Sequence, residues 1–343
     1  MAIEGFDPNG PGLDNGNFIG LPFSETEAQL IFFPVPWDVT VSYVDGTAQG
    51  PENILQASSQ LDLEHPLAEG TWQKGIFFQP VNNYWAQRSQ ELRPGAQSYI
   101  QFLEAGGQVA GVQKMAKMLE EINYSCENLH QWVEQETSQL LQAGKTVGLI
   151  GGDHSTPLGY LRSLAKRYDS FGILHIDAHL DLRKAYEGFT YSHASIFYNA
   201  LQLSAVQQLT SVGIRDYCAA ELALSKSDSR IQVFFDYSIQ QARFSGTTWQ
   251  QQCQQIVDSL PEKVYISFDI DGLQPDLCPH TGTPVPGGLS YNEALYLLET
   301  LLDSDRQIIG FDLCEVAGTP HEWDGNVGAR IAYALALAAL VSS

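Results

Sequence analysis

The stretch Gly172-Ile173-Leu174-His175-Ile176-Asp177-Ala178-His179-Leu180-Asp181 runs from an apolar β-type segment directly into charged residues. In extended backbone, side chains at positions i, i+2 and i+4 point to the same side. Asp177, His179 and Asp181 therefore converge and form a wall of two carboxylates and one imidazole. The stretch predicts a buried strand whose end carries a cluster of potential ligands.

Similar apolar runs recur along the chain and alternate with helix-length segments. The predicted strands are Leu30–Val35, Thr146–Ile150, Gly172–Ile176, Gln232–Phe235, Val264–Phe268 and Ile308–Phe311. The predicted helices, with apolar residues at helical spacing, are Gln113–Gln142, Leu158–Tyr168, Trp249–Ser259 and Tyr291–Leu302. This alternation predicts an α/β fold, in which helices cover both faces of a mostly parallel β-sheet. Such folds place their chemistry at the carboxyl ends of the strands.

The chain is expected to hold one catalytic domain over residues 29–343, preceded by an arm rich in Gly, Pro and Asn over residues 1–28. The stretch Asn82–Gly107 is interpreted as an insertion. The apolar run Ile331–Val341 is too short to span a bilayer and predicts a packed helix. The polar opening of the chain does not resemble a signal peptide, so no membrane association is expected.

Charge and cysteine content restrict the class of partner. The chain carries 40 acidic and 18 basic residues and a formal charge of -22. Phosphate binding depends on Lys and Arg, so nucleic acid is not an expected partner. An acidic surface attracts metal ions or a cationic substrate, although solubility alone explains it equally well. Five cysteines without a CxxC pair indicate reduced thiols and a cytoplasmic protein.

Two further polar segments follow predicted strands. They are Gly151-Gly152-Asp153-His154-Ser155 and Ser267-Phe268-Asp269-Ile270-Asp271-Gly272. Four carboxylates pressed together raise one another's pKa values unless cations neutralise them. Carboxylates combined with imidazoles suit manganese and similar divalent metals. One Asp-x-Asp alone is typical of a solvated strand end, but the three segments together, each at the end of a predicted strand, predict a metal site.

The three segments resemble the signature motifs of the ureohydrolase family, which includes arginase, agmatinase, guanidinobutyrase and formimidoylglutamase. The resemblance extends over Ile31 to Leu340 and includes Thr281–Pro284, Gly287-Gly288 and Glu315–Ala317. It implies a parallel α/β sheet, a homotrimer or homohexamer, and two Mn(II) ions per chain, with nickel or another divalent metal in some members.

The resemblance also implies a role for each ligand. His154 binds one manganese ion and His179 binds the other, while Asp177 and Asp269 bridge the pair. Asp181, which we also count among the catalytic residues, completes the shell of the first ion, and Asp271 completes that of the second. The implied reaction is attack of activated water on a guanidinium carbon, which releases urea and an amine.

Two more residues are assigned catalytic roles by the resemblance. His193, in Tyr191-Ser192-His193-Ala194-Ser195, is expected to pass protons to the leaving amine, for which a near-neutral pKa is suited. Glu315 is expected to hold the guanidinium through charge-assisted hydrogen bonds. The alternatives are a loop or core histidine and a surface salt-bridge residue.

The remaining polar residues are expected to have lesser roles. Asp153 and Ser155 are interpreted as supports beside a ligand, and Thr281 and Thr283 as residues that shape a loop. His175 alternates onto the same side as Asp177 and is a candidate for contact with the site, but structural packing is the favoured role. No functional role is expected for His65, His130, His280 and His321.

Departures from the family pattern bear on the substrate. Gln274 stands where the family carries an Asp, and Arg183–Thr190 lacks the Asn-containing loop that holds the α-carboxylate in arginases. The Tyr-Ser-His-Ala-Ser segment is closer to agmatinases, which favours a small cationic substrate and the conversion of agmatine to putrescine and urea. Arginase, guanidinobutyrase and other small-guanidine hydrolases remain alternatives. A single-zinc deacetylase and an inactive structural homologue are more remote.

Overall fold

Eight parallel strands form one sheet in the computed structural model, which describes residues 5–319 and 322–342. The strands are β1 Leu30–Val35, β2 Ile76–Phe78, β3 Thr146–Gly151, β4 Phe171–Ile176, β5 Val206–Ile214, β6 Ile231–Phe235, β7 Lys263–Asp269 and β8 Gln307–Cys314. Their spatial order is β2-β1-β3-β8-β7-β4-β5-β6. The predicted single-domain α/β fold with a parallel sheet is thus confirmed. The sequence analysis missed β2 and β5.

Helices fill most of the connections between strands. They are α1 Gly50–Ser58, α2 Asn83–Glu104, α3 Gln113–Gln142, α4 Leu158–Arg167, α5 Ile196–Ala200, α6 Ala219–Ser227, α7 Asp236–Phe244, α8 Trp249–Asp258, α9 Tyr291–Leu302 and α10 Trp323–Ser342. The four predicted helices are α3, α4, α8 and α9. The stretch interpreted as an insertion is mostly α2, whose first turn is capped by the side chain of Asn82.

The two faces of the sheet are buried by different helices. In β1, Leu30 and Phe32 face the core formed with α1, α8, α9 and α10. Ile31 and Phe33 face the core formed with α2, α3, α4 and α5. A parallel sheet covered on both sides needs apolar residues at every strand position, which is why these strands are continuous apolar runs.

Both ends of the described chain pack against this sheet. The Asn17 side chain donates to the Ile76 carbonyl at 3.2 Å and accepts from the Phe78 amide at 2.8 Å. Helix α10 is long and apolar enough to cross a membrane, but it is a core helix with most of its residues buried. The boundary between an arm (1–28) and a catalytic domain (29–343) stays a prediction, and residues 1–4 and 343 lie outside the described residues.

Candidate metal centre

The first motif follows β3 in a tight turn against the β1 extension. The amide of Asp153 donates to the Trp37 carbonyl at 2.7 Å. A Cβ atom at Gly152 would lie 2.0 Å from that same carbonyl oxygen, so only glycine fits there. This close approach of the two backbones directs His154, two residues after Gly152, toward the carboxyl end of the sheet.

One imidazole nitrogen of His154 lies among three carboxylates. Its Nδ1 is 3.1 Å from Asp177 Oδ2, 3.2 Å from Asp181 Oδ2 and 3.3 Å from Asp269 Oδ2. These side chains come from the ends of β3, β4 and β7, which lie near one another in the sheet. The structure therefore brings together the residues predicted for the first metal.

A second imidazole lies on the other side of Asp177. The Nδ1 atom of His179 is 3.2 Å from Asp271 Oδ2 and 3.4 Å from Asp177 Oδ1. Asp177 thus directs one carboxylate oxygen to His154 and the other to His179, as a bridging ligand would. The hydrogen-bonding contacts of Asp269 are with His154 and with the Asp271 amide, which donates to Asp269 Oδ1 at 2.8 Å. Bridging by Asp269 stays a prediction.

The carboxylates of the cluster are buried close together, so their ionised forms need positive charge beside them. Burial, followed by repulsion from Asp271 and Asp177, raises the pKa of Asp269 well above its ordinary value. Burial, followed by Asp177, raises the pKa of Asp181 to about 7. Burial also opposes ionisation of Asp177, but the surrounding imidazoles outweigh it and hold that pKa well below its ordinary value. The donor set and its charge fit divalent metals of the manganese type.

A buried row of polar side chains supports the cluster from the strands beneath it. In the strand register, Asp312 of β8 lies beside Ser267 of β7, which lies beside His175 of β4, which lies beside Ser211 of β5. The Ser267 hydroxyl donates to Asp312 Oδ2 at 2.7 Å and lies 2.9 Å from Nε2 of His154. This pairing directs the other ring nitrogen, Nδ1, to the carboxylates.

His175 contacts the cluster directly, which differs from the packing role expected from the sequence. Its Nε2 lies 2.7 Å from Asp177 Oδ2, and its Nδ1 lies 3.0 Å from the Ser211 hydroxyl. Its position two residues before Asp177 was the available signal, because alternating residues of a strand share a face.

Two candidate site residues have unusual backbone conformations. Asp181 has a φ of 52° and Glu315 has a φ of 64°, in the left-handed region that L-residues rarely adopt. Such conformations persist where the surrounding structure holds them, and they cluster at functional sites.

The carboxylate of Glu315 is buried beside the first motif. Its Oε1 accepts from the His154 amide at 2.9 Å, and its backbone carbonyl accepts from the Thr281 hydroxyl at 2.9 Å. Burial, followed by the charge of Asp153, raises its pKa well above the ordinary value. Because Glu315 is buried, the alternative of a surface salt-bridge residue is not supported. Binding of a guanidinium by its carboxylate stays a prediction.

His193 lies in a cavity of about 280 Å³ together with His179 and Asp181. Its Nε2 is 3.5 Å from the Ser42 hydroxyl and its Nδ1 is 3.4 Å from the Ser192 hydroxyl. Burial, followed by the charge on His179, lowers its pKa to about 3. Burial thus moves this pKa below the near-neutral value expected from the sequence, and the proton-transfer role of His193 stays a prediction.

The other predicted residues lie around the cluster without joining it. Asp153 accepts from the Ser155 amide at 3.0 Å, and the Thr283 hydroxyl donates to Asp271 at 3.4 Å. The Gln274 side chain is exposed. Among the histidines without an expected role, His280 pairs with Asp324 at 2.9 Å, and the rings of His65 and His130 contact those of Tyr333 and Tyr191. His321 is outside the described residues.

Comparisons with known proteins agree with this architecture. Residues 28–341 match the arginase family model. The chain is 31% identical over 291 residues to the N(1)-aminopropylagmatine ureohydrolase of Thermus thermophilus, covering 85% of this chain and 83% of that protein. It is 29% identical over 339 residues to the agmatinase of Neisseria meningitidis serogroup C, covering 96% and 95%.

Solved structures show the same fold. Proclavaminate amidino hydrolase from Streptomyces clavuligerus superposes with a TM-score of 0.73 at 21% identity, covering 97% of this chain and 100% of that one. The agmatine ureohydrolase of Thermoplasma volcanium gives a TM-score of 0.68 at 22% identity, covering 96% and 94%. The chain is therefore a member of the arginase family and a hydrolase of the ureohydrolase class.

Proposed function

We propose that the protein hydrolyses a guanidino compound to urea and an amine at a pair of divalent metal ions, with Mn(II) as the first choice. The observation that carries the proposal is the position of Asp177, which presents one carboxylate oxygen to each of two imidazoles. Because Asp177 is shared in this way, the cluster consists of two adjoining sets of ligands. A deacetylase that binds a single zinc ion would need only one set.

Each ligand set has one imidazole and its own carboxylate. His154 and Asp181 would hold the first ion, and His179 and Asp271 would hold the second. Asp177 and Asp269 would be shared between the two. When bound, the metal pair would supply Lewis acidity that activates water for attack on the guanidinium carbon.

The protein's own residues would position the substrate and move its protons. The planar guanidinium offers a fork of N–H donors, and Glu315 is the buried carboxylate beside the cluster that would accept from them. His193 lies in the cavity beside His179 and Asp181, where it would accept a proton from the attacking water and deliver it to the leaving nitrogen. The carbon–nitrogen bond then breaks to give urea and the amine.

Agmatine is the proposed substrate, with putrescine as the amine product. Two relatives are named for agmatine or an aminopropyl derivative of it, which supports a guanidine attached to an amine-bearing chain. Arginine, guanidinobutyrate and smaller guanidines are the competing substrates. We further propose that the chain acts in the cytoplasm as a homotrimer or homohexamer.

Urea release by purified, manganese-loaded protein tests the proposal directly. Agmatine, arginine, 4-guanidinobutyrate and guanidine are compared, and bound metal is measured by elemental analysis. Two ions per chain and urea formation from agmatine are expected. Chelator-treated protein without added metal is the control. One tightly bound zinc per chain with activity on acetyl-lysine peptides would contradict the proposal, as would full metal loading with no urea from any guanidine.

A further inference from the structure

The His154 ring has a second side, which faces away from the carboxylate cluster and meets two further potential ligands. Its Nε2 lies 3.7 Å from Asp312 Oδ1, and the Cys314 thiol donates to that same oxygen at 3.6 Å. One ligand atom from each of these three side chains lies within 4.8 Å of the other two. An imidazole, a carboxylate and a thiol therefore converge beneath the predicted first metal position.

The separations between these atoms fit a tetrahedral zinc ion. Zinc binds nitrogen and oxygen at about 2.0–2.2 Å and thiolate sulfur at about 2.3 Å. Tetrahedral angles between such bonds place nitrogen about 3.4 Å from oxygen and oxygen about 3.6 Å from sulfur. The observed distances of 3.7 Å and 3.6 Å are close to both values, so the three side chains would need little movement to bind zinc.

Asp312 is a buried carboxylate without a permanently charged cationic partner. In the part of the chain that the structure describes, no lysine or arginine forms an ion pair with it, and the groups that donate to it are the neutral Ser267 hydroxyl and Cys314 thiol. All three side chains are fully buried. The nearby His154 ring is neutral when one of its nitrogens binds metal. Because a buried carboxylate is stabilised by a cation in direct contact, this position favours a bound metal ion.

The two ring nitrogens of His154 face different kinds of ligand. Nδ1 lies among three carboxylates, whereas Nε2 lies beside one carboxylate and near a thiol. Asp312 and Cys314 reach the Nε2 side together because alternating residues of β8 share a face. Carboxylates suit manganese, whereas thiolate selects zinc and other soft metals. The Nε2 side is therefore suited to a different metal from the one proposed for the cluster.

We propose that Cys314, Asp312 and Nε2 of His154 form a separate zinc site, and that zinc bound there excludes Mn(II) from the first metal position. The zinc site itself is independent of the proposed function, whereas the exclusion of Mn(II) rests on it. The Ser267 hydroxyl, 2.9 Å from Nε2, supplies an oxygen for the fourth position of the zinc ion.

The exclusion follows from the protons of the ligands. When zinc binds, a zinc–sulfur bond forms and the thiol proton of Cys314 leaves to solvent. The ring proton of His154 moves from Nε2 to Nδ1, since Nε2 must give its lone pair to zinc. Nδ1–H then donates to the neighbouring carboxylates and has no lone pair for manganese. One imidazole thus serves either the zinc site or the first manganese position.

Cobalt(II) is the spectroscopic probe for this site, because it takes up zinc ligands in similar geometry and gives an intense sulfur-to-metal charge-transfer band only with a thiolate. One equivalent is added to metal-free protein. The wild-type protein should show the band, and excess Mn(II) should remove it by taking the His154 ring back. Cys314→Ser keeps the side-chain size but removes the soft ligand. This variant should lack the band and bind zinc roughly 100-fold more weakly in a chelator competition.

Cys278→Ser is the matched control. Cys278 is also buried, and its thiol donates to the Ile270 carbonyl at 3.3 Å, next to the cluster. This variant should keep the charge-transfer band and the zinc affinity of the wild-type protein. Cys314→Ala is the second test variant, because alanine adds no polar group if serine is not tolerated at this buried position. Thermal unfolding of the metal-free proteins shows which variants are folded.

Manganese content tests the exclusion separately. Manganese-loaded protein is treated with one equivalent of zinc, freed of unbound ions and examined by elemental analysis. The wild-type protein should lose one of its two manganese ions per chain, whereas Cys314→Ser should keep both.

Several results would overturn the assignment. A wild-type protein without the charge-transfer band, or a band that survives in Cys314→Ser and Cys314→Ala, would exclude Cys314 as a ligand. A band that persists in excess Mn(II), or equal loss of manganese from wild-type protein and Cys314→Ser, would overturn the exclusion. A Cys314-dependent band together with no urea from any guanidine would support the zinc site and overturn the proposed function instead.

Discussion

Replacing Ser267 with alanine should weaken the first metal site and spare the second. The Ser267 hydroxyl donates to Asp312 Oδ2 at 2.7 Å and is placed to accept from Nε2–H of His154 at 2.9 Å. All three side chains are buried, so water does not replace the lost hydroxyl. The His154 ring then loses the contact that keeps the proton on Nε2 and leaves Nδ1 free for metal.

The size of the effect follows from these two bonds. A hydrogen bond to a charged group contributes about 1.5–3 kcal/mol in a protein interior. Since about 1.4 kcal/mol corresponds to a tenfold change in affinity, Mn(II) at the His154 site should bind roughly 10- to 100-fold more weakly. The His179 site has no contact with Ser267 and should keep its affinity.

Titration of metal-free protein with Mn(II) in the presence of a competing chelator measures both sites. Ser163→Ala is the matched control, because Ser163 is also buried and makes two hydrogen bonds. It accepts from the Thr137 hydroxyl of α3 and donates to the Tyr160 carbonyl within α4. Thermal unfolding of both metal-free variants accounts for any general loss of stability. Unchanged affinity at both sites, or equal weakening at both, would refute the reasoning.

Three further predictions concern the cluster and its cavity. Asp177→Asn should release metal and abolish turnover together, as measured by elemental analysis and urea assay; full metal content with full rate would exclude a bridging role. His193→Ala should lower kcat by roughly 10²–10⁴ with metal content unchanged; a normal kcat would assign this histidine to packing. Glu315→Gln should keep both metals yet lower kcat/KM by about 10² or more, since a charge-assisted contact and substrate alignment are both lost; near-normal activity in the fully metallated variant would remove Glu315 from the mechanism.

The sequence predicted the metal cluster because its members follow a local rule. Asp177, His179 and Asp181 are spaced two residues apart just after β4, and Asp269 and Asp271 have the same spacing at the end of β7. The extended backbone expected for them is wrong, because Asp181 has a φ of 52° and Asp271 lies in a 3-10 turn, yet both still reach the cluster. The fold class was predictable for a similar reason, since apolar runs and helical spacing are both properties of short segments.

Features that depend on pairing between distant segments were not predictable. Asp312 acts on His154 through Ser267, and that contact exists only because β8 lies between β3 and β7 in the sheet. The pKa of His193 depends on burial under a loop whose path the sequence does not specify. Strand β2 was missed because it has only three residues, Ile76–Phe78, and is recognisable through its pairing with β1.

The polar row of Asp312, Ser267, His175 and Ser211 also has a consequence for folding. Continuous apolar strands specify their alignment poorly, because sliding one past another by two residues exchanges one apolar contact for another. In this sheet, the same shift in any of the four adjacent strands would separate a buried carboxylate, imidazole or hydroxyl from its hydrogen-bond partner. Each buried group left without a partner lowers the free energy of unfolding by about 1–3 kcal/mol. The row therefore locks the alignment of the central strands. A chain that pairs these strands in the wrong register is less stable even without metal. Correct strand register and the ability to bind metal therefore depend on the same side chains.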